Sequence, residues 1–270
     1  MKRHLCCIGL LLLVSAWATA HEFWLQPTQF FAEPGQTIRV RTLVGEGFAG
    51  EPSEGRKDRV VQYKHHSPAG DIDLTPTIAA SHYGEVAVSL SRPGTHLLVF
   101  ANTPKFIRMA PGPFSAYLKA EGLDDIIAAR ATQGDTAKAG YELYSRCAKT
   151  LIQVGSDTDK AMPQTPNLTL DIVPTQNPYS LRAGQRLRAQ IRFNGKPLPN
   201  ALVRYWVKPQ TGAVSEEKVR SDSRGNVQFR LRSGQIMLST VWMVPAPATP
   251  NVPETADWRS YWGSLTFGCR

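Results

Sequence analysis

The sequence predicts a mainly β protein with two β-sandwich domains, Ig-like or transthyretin-like, and a helical segment between them. In residues 21–110 and again in 161–270, short runs of β-branched and aromatic residues are separated by turn-forming Gly, Pro and Asn. In residues 111–160, apolar residues recur at steps of three and four instead. Residues 1–20 are predicted to be a signal peptide, which leaves these three segments as the mature chain.

The first 20 residues have the composition of a secretory signal. Two basic residues follow Met1, an apolar run covers 5–14, and Ala-Thr-Ala at 18–20 fits an A-x-A cleavage site. The apolar run is too short for a permanent membrane helix, which needs roughly 20 residues. We therefore expect export to the periplasm, cleavage after Ala20, and a mature chain that begins with His21 and has no membrane span.

Four strands are predicted in the first sandwich: Gln36–Val44, Arg59–Tyr63, Glu85–Leu90 and Thr95–Phe100. The first alternates apolar and Thr side chains with arginines, as a strand with one buried face does. Pro-Gly pairs, which form turns, stand directly before the first and the last of these strands. This spacing of short strands and turns indicates a β-sandwich.

The middle segment has apolar side chains at helical spacing. Four of them define a stripe: Tyr141, Tyr144, Ala148 and Leu151. We predict a helix over this stripe that ends at Gly155, and a shorter helix over Asp124–Thr132. Such a stripe is typical of core packing, so it predicts no cofactor site. Residues 155–166 are rich in Asp, Thr, Pro and Ser and are interpreted as a linker.

Strands are predicted again after the linker. Residues 187–193 have apolar side chains at every second position, and three arginines lie between or before them: Arg186, Arg188 and Arg192. This pattern predicts one buried and one cationic face. Further strands are predicted at 201–207, 236–244 and 261–267. Asn194-Gly195 and the segment from Asp222 to Gly225 predict tight turns, in which Asp222 accepts hydrogen bonds from backbone amides.

The formal net charge is +9 and falls to +7 when Lys2 and Arg3 leave with the signal. This charge is not concentrated enough to indicate a nucleic-acid partner, which an exported protein would not meet. A solvated arginine-rich surface explains the charge, and attraction to anionic envelope surfaces is the alternative.

Two cysteines, Cys147 and Cys269, remain after removal of the signal. In an oxidising compartment they favour a disulfide, which would stabilise the fold by about 4–5 kcal/mol in the loop-entropy model. Two buried free thiols are the alternative. A zinc site is less suitable because the close C-x-x-C spacing is absent.

Cleavage after Ala20 would give His21 two nitrogen donors, its free α-amine and its imidazole, with ordinary pKa values of about 8 and about 6.5. Both lose protons near neutral pH and bind metals such as nickel, cobalt, copper or zinc. The precursor lacks this chelate because its amine is part of a peptide bond. His21 is therefore the first predicted metal ligand, and a merely exposed histidine is an equal alternative.

Two further histidines are predicted to complete the metal site. His96 lies in a predicted strand, where a sheet can hold it opposite His21, and His82 is the second choice. His65 and His66 are less suitable as a pair because adjacent strand residues point to opposite faces. For His96, a hydrogen-bonded strand histidine is the competing interpretation.

Several segments resemble one bacterial exported family: 21–27 (HEFWLQP), 117–123 (YLKAEGL), 144–149 (YSRCAK), 172–174 with 177–179, 195–198 and 256–267. The family is one of unknown function, whose members are often labelled the periplasmic component of a cobalt or nickel ABC-type transport system. The resemblance implies metal handling, with a metal-uptake transporter as partner. Residues 195–231 are similar to transthyretin-like or carboxypeptidase-regulatory sandwiches, which serve as binding or spacer modules.

The sequence contains no H-E-x-x-H, G-x-S-x-G or phosphate-binding glycine loop, so it predicts no catalytic residue. The leading hypothesis is a periplasmic, non-enzymatic protein that captures nickel, cobalt or copper for uptake. The second is an envelope structural or interaction module that uses the basic face of Arg188 and Arg192. The third is a copper oxidase that acts on polysaccharide through an N-terminal histidine.

Overall fold

The computed structural model describes residues 22–79, 83–156, 163, 168–247 and 255–270. These residues form 18 strands, two α-helices and three short 3-10 helices. The predicted signal peptide, His21, His82 and most of the predicted linker lie outside the described residues. Within the described part of the chain, no helix is long and apolar enough to cross a membrane.

The strands of the first half form the four-stranded sheet A and part of a larger sheet B. They are β1 Glu22–Pro27, β2 Phe31–Ala32, β3 Gln36–Glu46, β4 Ala49–Pro52, β5 Val60–Ser67, β6 Gly70–Asp73, β7 Glu85–Leu90, β8 Gly94–Asn102 and β9 Lys105–Met109. In sheet A, β3 is central and pairs antiparallel with β1, β4 and β7. The four strands predicted in this half are confirmed, and three are longer than predicted.

The strands of the second half complete sheet B and form the four-stranded sheet C. They are β10 Gly140–Val154, β11 Leu170–Pro174, β12 Arg186–Phe193, β13 Lys196–Pro197, β14 Leu202–Lys208, β15 Ser215–Arg220, β16 Asn226–Arg230, β17 Gly234–Pro245 and β18 Trp258–Cys269. In sheet C, β12 pairs with β11, β13 and β16. The predicted turns are confirmed: Asn194 has a positive φ, and Asp222 accepts hydrogen bonds from the amides of Arg224 and Asn226.

Sheet B is the central layer of the molecule and contains strands from both halves. Its order is β15-β14-β17-β18-β10-β8-β5-β6, and β2 and β9 also pair with β10. Strands β10 and β18 run parallel, while the other neighbours along this order are antiparallel. The first and second halves of the chain are therefore joined by direct strand pairing between β8 and β10.

Two apolar cores lie on opposite faces of sheet B. Sheet A covers one face, where Leu25 and Val40 pack with Phe100 and Ile152. Sheet C covers the other face with a core that includes Leu97, Leu151, Ile172, Ile191, Leu238 and Phe267. The mainly β fold class is confirmed. The boundaries of two separate sandwich domains stay a prediction, and both cores share sheet B.

The helix predicted over the stripe from Tyr141 to Leu151 is wrong, because these residues form strand β10. This strand lies between two covering sheets: Ala148 and Ile152 face the core below sheet A, while Cys147 and Leu151 face the core below sheet C. A strand that is buried on both faces loses the alternation of polar and apolar residues. The spacing of its aromatic residues then matched a helix by coincidence.

The two helices pack together on sheet B beside β17 and β18. They are α1 Pro111–Ala120 and α2 Asp124–Thr132, and the second confirms the shorter helix predicted from sequence. Phe114, Tyr117 and Ile126 contribute to a small core with Val241 and Trp262. The helical part of the middle segment therefore ends near Thr132.

The predicted disulfide between Cys147 and Cys269 does not form, and both cysteines are buried free thiols. The register pairs Cys147 with Gly263, six residues before Cys269 on the same strand. At about 3.3 Å per residue this offset is roughly 20 Å, whereas disulfide-bonded Cα atoms lie within about 7 Å. An oxidising compartment favours disulfides, but the strand register holds these two cysteines too far apart to form one.

Candidate functional site

Two histidines from neighbouring strands meet at the end of the core below sheet A. His65 lies on β5 and His96 on β8, and the register sets His65 opposite Leu98. Residues two positions apart on a strand share a face, so both histidines point to the same side of sheet B. Nε2 of His65 lies 2.8 Å from Nδ1 of His96, and each residue is 1% exposed.

Hydrogen-bond partners define which ring nitrogens carry protons. Nε2 of His96 lies 2.8 Å from the carbonyl oxygen of Arg92, which can only accept, so this nitrogen is protonated. Nδ1 of a neutral His96 then has a free lone pair and accepts a hydrogen bond from Nε2 of His65. The two rings form a chain of neutral imidazoles that is oriented by one backbone carbonyl.

Burial holds both rings in the neutral form. Burial, followed by the nearby His96 and His66, lowers the pKa of His65 to about 4. Burial also lowers the pKa of His96, and the hydrogen bond to the Arg92 carbonyl opposes this effect. Neutral imidazole is the form that binds a metal ion, so both rings are in the competent state at neutral pH.

His66 has a different partner from its neighbour, as expected for adjacent residues on a strand. Its Nδ1 lies 2.8 Å from a carboxylate oxygen of Asp71, which is opposite His66 in the register of β5 and β6. Its Nε2 is buried and has no hydrogen-bond partner among the described residues. His66 is therefore adjacent to the His65–His96 pair but does not belong to it, so a substitution of His66 can serve as a control.

Of the three predicted metal ligands, the structure describes His96 alone. His21 and His82 lie outside the described residues. The described residues contain no group of three or more His, Cys, Asp or Glu side chains arranged to hold a metal ion. The arrangement that the structure adds to the prediction is the pairing of His96 with His65.

The start of β1 lies away from this pair. The carbonyl of Phe23 accepts a hydrogen bond from Ser264, which pairs with Ala148 on β10. His96 pairs with Ile152 on the same strand. Four residues of β10, or about 13 Å, therefore separate the two levels. The prediction that a sheet holds His96 opposite His21 stays a prediction, because His21 lies outside the described residues.

Glu22, the first described residue, belongs to a buried cluster of charged side chains around Arg204. One of its carboxylate oxygens accepts a hydrogen bond from Trp206 Nε1 at 3.2 Å and lies 4.0 Å from Arg204 Nε. Burial raises the pKa of Glu22 to about 7, although Arg204 opposes the shift. Arg204 also pairs with Glu121 at 2.8 Å and with Glu216 at 3.0 Å. The residue that follows His21 in the sequence is thus fixed by buried contacts.

A cavity of about 620 Å³ adjoins this cluster. Trp206 lines it together with Glu46 and Glu51, whose side chains are exposed. Gly45, the residue before Glu46, pairs with Glu22 across β1 and β3. Two solvated carboxylates therefore lie near the beginning of β1.

Residues 18–244 match the protein family described as "Domain of unknown function (DUF4198)". The chain belongs to the DUF4198 family. The match includes His65 and His96, and it confirms the expected assignment to a family of unknown function. Its description names no metal, substrate or partner.

Two solved structures are similar to this DUF4198 chain at low identity. The "D0-D1 domain of Intimin" is 11% identical, with 92% of this chain and 97% of that chain covered and a TM-score of 0.21. The "Crystal structure of tetra-tandem repeat in extending region of large adhesion protein" is 10% identical, with 94% of this chain and 50% of that chain covered and a TM-score of 0.21. At these TM-scores neither similarity bears on function. No curated protein matches the chain.

Proposed function

We propose that this DUF4198 protein is a periplasmic, non-enzymatic metal-binding protein that captures nickel, cobalt or copper for uptake. The proposal is carried by the convergence of two neutral imidazole nitrogens, Nε2 of His65 and Nδ1 of His96, at a separation of 2.8 Å. Imidazole nitrogens suit these metals. The buried position of both rings supports a site that is shielded from competing water ligands.

The separation of the two nitrogens is that of a hydrogen bond, 2.8 Å. With metal–nitrogen bonds of about 2.0–2.1 Å, two nitrogen ligands of one ion are ~2.9 Å apart at a right angle and ~3.3 Å apart in a tetrahedron. An ion that replaced this hydrogen bond would therefore require the two rings to move apart by only a few tenths of an ångström.

The partner of His96 also fits a ligand role. A metal-bound histidine usually donates its second ring N–H to a carbonyl or carboxylate, which fixes the ring and its tautomer. Nε2 of His96 does so to the carbonyl of Arg92 at 2.8 Å. Binding of an ion by both rings would require the proton on Nε2 of His65 to move to Nδ1 of the same ring, because a neutral imidazole binds a metal through its unprotonated nitrogen.

His21 remains part of the proposal as a second source of nitrogen donors. Its amine and imidazole become available together after cleavage, and it is bonded directly to the buried Glu22. Glu46 and Glu51, near the start of β1, offer oxygen donors in that region. This N-terminal arrangement is separate from the His65–His96 pair and can be tested separately.

The test uses mature protein whose signal has been removed by export, without an N-terminal tag. After dialysis against nickel, cobalt or copper and then buffer, the metal retained is measured by mass spectrometry. We expect about one ion per chain, lost in His65→Ala and in His96→Ala. His66→Ala, which changes the neighbouring histidine on the same strand, should retain the ion.

Three outcomes would revise the proposal. If the wild-type protein retains no metal, metal binding is rejected. If only His21→Ala loses the ion, the ligands belong to the N-terminus and the assignment to His65 and His96 is rejected. If N-terminal sequencing of exported protein does not begin at His21, or the protein is absent from the periplasmic fraction, the proposed processing and location are rejected.

A further inference from the structure

The outer face of sheet C carries a cluster of arginines, which we call the arginine face: Arg186, Arg188 and Arg192 on β12 and Arg230 on β16. The residues between them on these strands, such as Leu187 and Phe229, are buried in the core. Because successive side chains on a strand point to opposite faces, this burial directs the arginines outward. Arg186, Arg188 and Arg230 are exposed, and Arg192 is half-buried.

Neutral amides hold two of these guanidinium groups. Arg188 donates from Nε to Gln228 at 3.2 Å, and Arg192 donates from Nε to Gln190 at 2.7 Å. Both bonds use Nε, and within the described residues the terminal nitrogens of these two guanidinium groups form no ion pair. A guanidinium in this state presents the planar fork of N–H donors that binds a phosphate in a bidentate manner.

No carboxylate among the described residues lies within ion-pair distance of the arginine face; Asp171, which is opposite Arg192 in the register of β11 and β12, pairs with Lys149 instead. Within the described residues, none of its four arginines forms an ion pair, whereas Arg204 and Arg220 elsewhere do. Arg186 and Arg230 stand directly opposite each other in the register of β12 and β16. Like charges in this position destabilise a sheet unless an anion lies between them. The face therefore has a local positive field that an external anion would neutralise.

The shape and composition of the arginine face favour phosphates over sugars. Arg186, Arg188 and Arg230 are exposed on two adjacent strands, so they lie on an open sheet surface. Its remaining outward positions on β12 and β16 are the polar Gln190, Asn226 and Gln228, without an aromatic ring that would stack on a sugar. The arginines occupy two adjacent strands, which suits a two-dimensional array of anions.

We propose that the arginine face docks the protein on a membrane surface rich in anionic phospholipid. Each guanidinium that comes within about one Debye length of such a surface is attracted to the phosphate layer, and the contributions of the four arginines add. This interaction is independent of metal binding, since His65 and His96 lie in the other core. It would keep the exported protein at the membrane without a membrane-spanning segment.

The experiment measures co-sedimentation of the mature, full-length protein with vesicles. One set contains phosphatidylcholine alone, and the other contains one third phosphatidylglycerol. We expect binding to the anionic vesicles alone, weakened by added salt. Changing all four arginines of the face to Gln should reduce partitioning about 600-fold, because each basic residue near the surface contributes about fivefold.

A matched variant separates this face from net charge. The control variant removes the same charge from exposed positions elsewhere, by changing Lys64, Lys105, Lys119 and Lys208 to Gln. It should keep most of the binding to anionic vesicles. Circular dichroism and an unfolding curve establish that both variants fold, and Arg188→Glu alone provides a milder test. Equal loss in the two quadruple variants, no binding to anionic vesicles, or binding to a soluble anionic polysaccharide but not to vesicles would overturn the proposal.

Discussion

Arg204 donates a hydrogen bond from Nη2 to a carboxylate oxygen of Glu121 over 2.8 Å, and both residues are buried. The same nitrogen donates to the carbonyl of Ala120 at 2.9 Å, which ties the end of α1 to β14. Glu22 on β1 lies 4.0 Å from the other side of the guanidinium. One cation therefore joins the N-terminal strand, the helical segment and the second half of sheet B.

Replacement of Arg204 by Met should destabilise the protein by about 3–5 kcal/mol at pH 7 or above, because Glu121 would keep a buried carboxylate without its cation. Burial raises the pKa of Glu22 to about 7 and raises that of Glu121. At pH 5 Glu22 can take up a proton, and the raised pKa of Glu121 also favours its neutral form, so the loss should be smaller. Urea unfolding at both pH values measures the difference.

Arg39→Met is the control for this prediction. Arg39 pairs with Glu85 at 3.6 Å, and the two side chains are 72% and 41% exposed. Exposed pairs of this kind contribute about 0–1 kcal/mol. If the Arg204 and Arg39 variants lose similar amounts of unfolding free energy, the buried cluster contributes no more to stability than an exposed ion pair.

The predictable parts of the fold are the strands that have one buried face. β12 alternates buried Leu187 and Ile191 with exposed Arg188, and the sequence shows that alternation directly. β10 has no such pattern, since Cys147 and Ala148 pack into different cores. Long-range packing decides which strands are covered on both faces. The local spacing of apolar residues in the sequence does not indicate this.

One member of the candidate site is predictable from the sequence, and the other is not. The sequence places His96 on a strand, and it lies on β8. Its partner His65 depends on the register between β5 and β8, which includes an irregularity between Val60 and Gln62. A slip of one residue reverses the face of every side chain on a strand. The identity of the partner is therefore decided by tertiary pairing.

Stability should decline in acid because of the buried histidine pair. The pKa of His65 is about 4 in the folded protein, against an ordinary value of 6.5. Between these values the unfolded chain binds a proton that the folded chain does not, so stability falls as the pH is lowered from 6.5 toward 4. The linked loss is roughly 3 kcal/mol for His65 alone. Urea midpoints across this pH range measure it.

His65→Gln removes the titrating ring and should flatten the acid limb of the stability curve. His66→Gln changes the adjacent histidine and leaves the His65–His96 hydrogen bond in place, so the slope from His65 should persist. An unchanged slope in His65→Gln would assign the acid sensitivity to other groups.

Lys149 and Asp171 form an ion pair between β10 and β11 in which the side chains are 1% and 3% exposed. Lys149→Met or Asp171→Asn alone should destabilise by about 3–5 kcal/mol, because each leaves the other group buried without its partner. The double variant should lose much less than the sum of the single losses, since it buries no lone charge. A double-mutant cycle from urea unfolding measures this coupling, and strictly additive losses would contradict it.

The two thiols of the mature protein should be recovered in the reduced state, even from an oxidising compartment. Burial raises the pKa of Cys147 to about 11 and also raises that of Cys269, so few thiolates form near neutral pH. We expect labelling of both cysteines after unfolding without reductant, and slow labelling of Cys147 in the native protein. A mass lower by two hydrogens would reveal a disulfide. Because such a bond would contribute about 4–5 kcal/mol, reductant would then shift the unfolding midpoint strongly, whereas free thiols leave it unchanged.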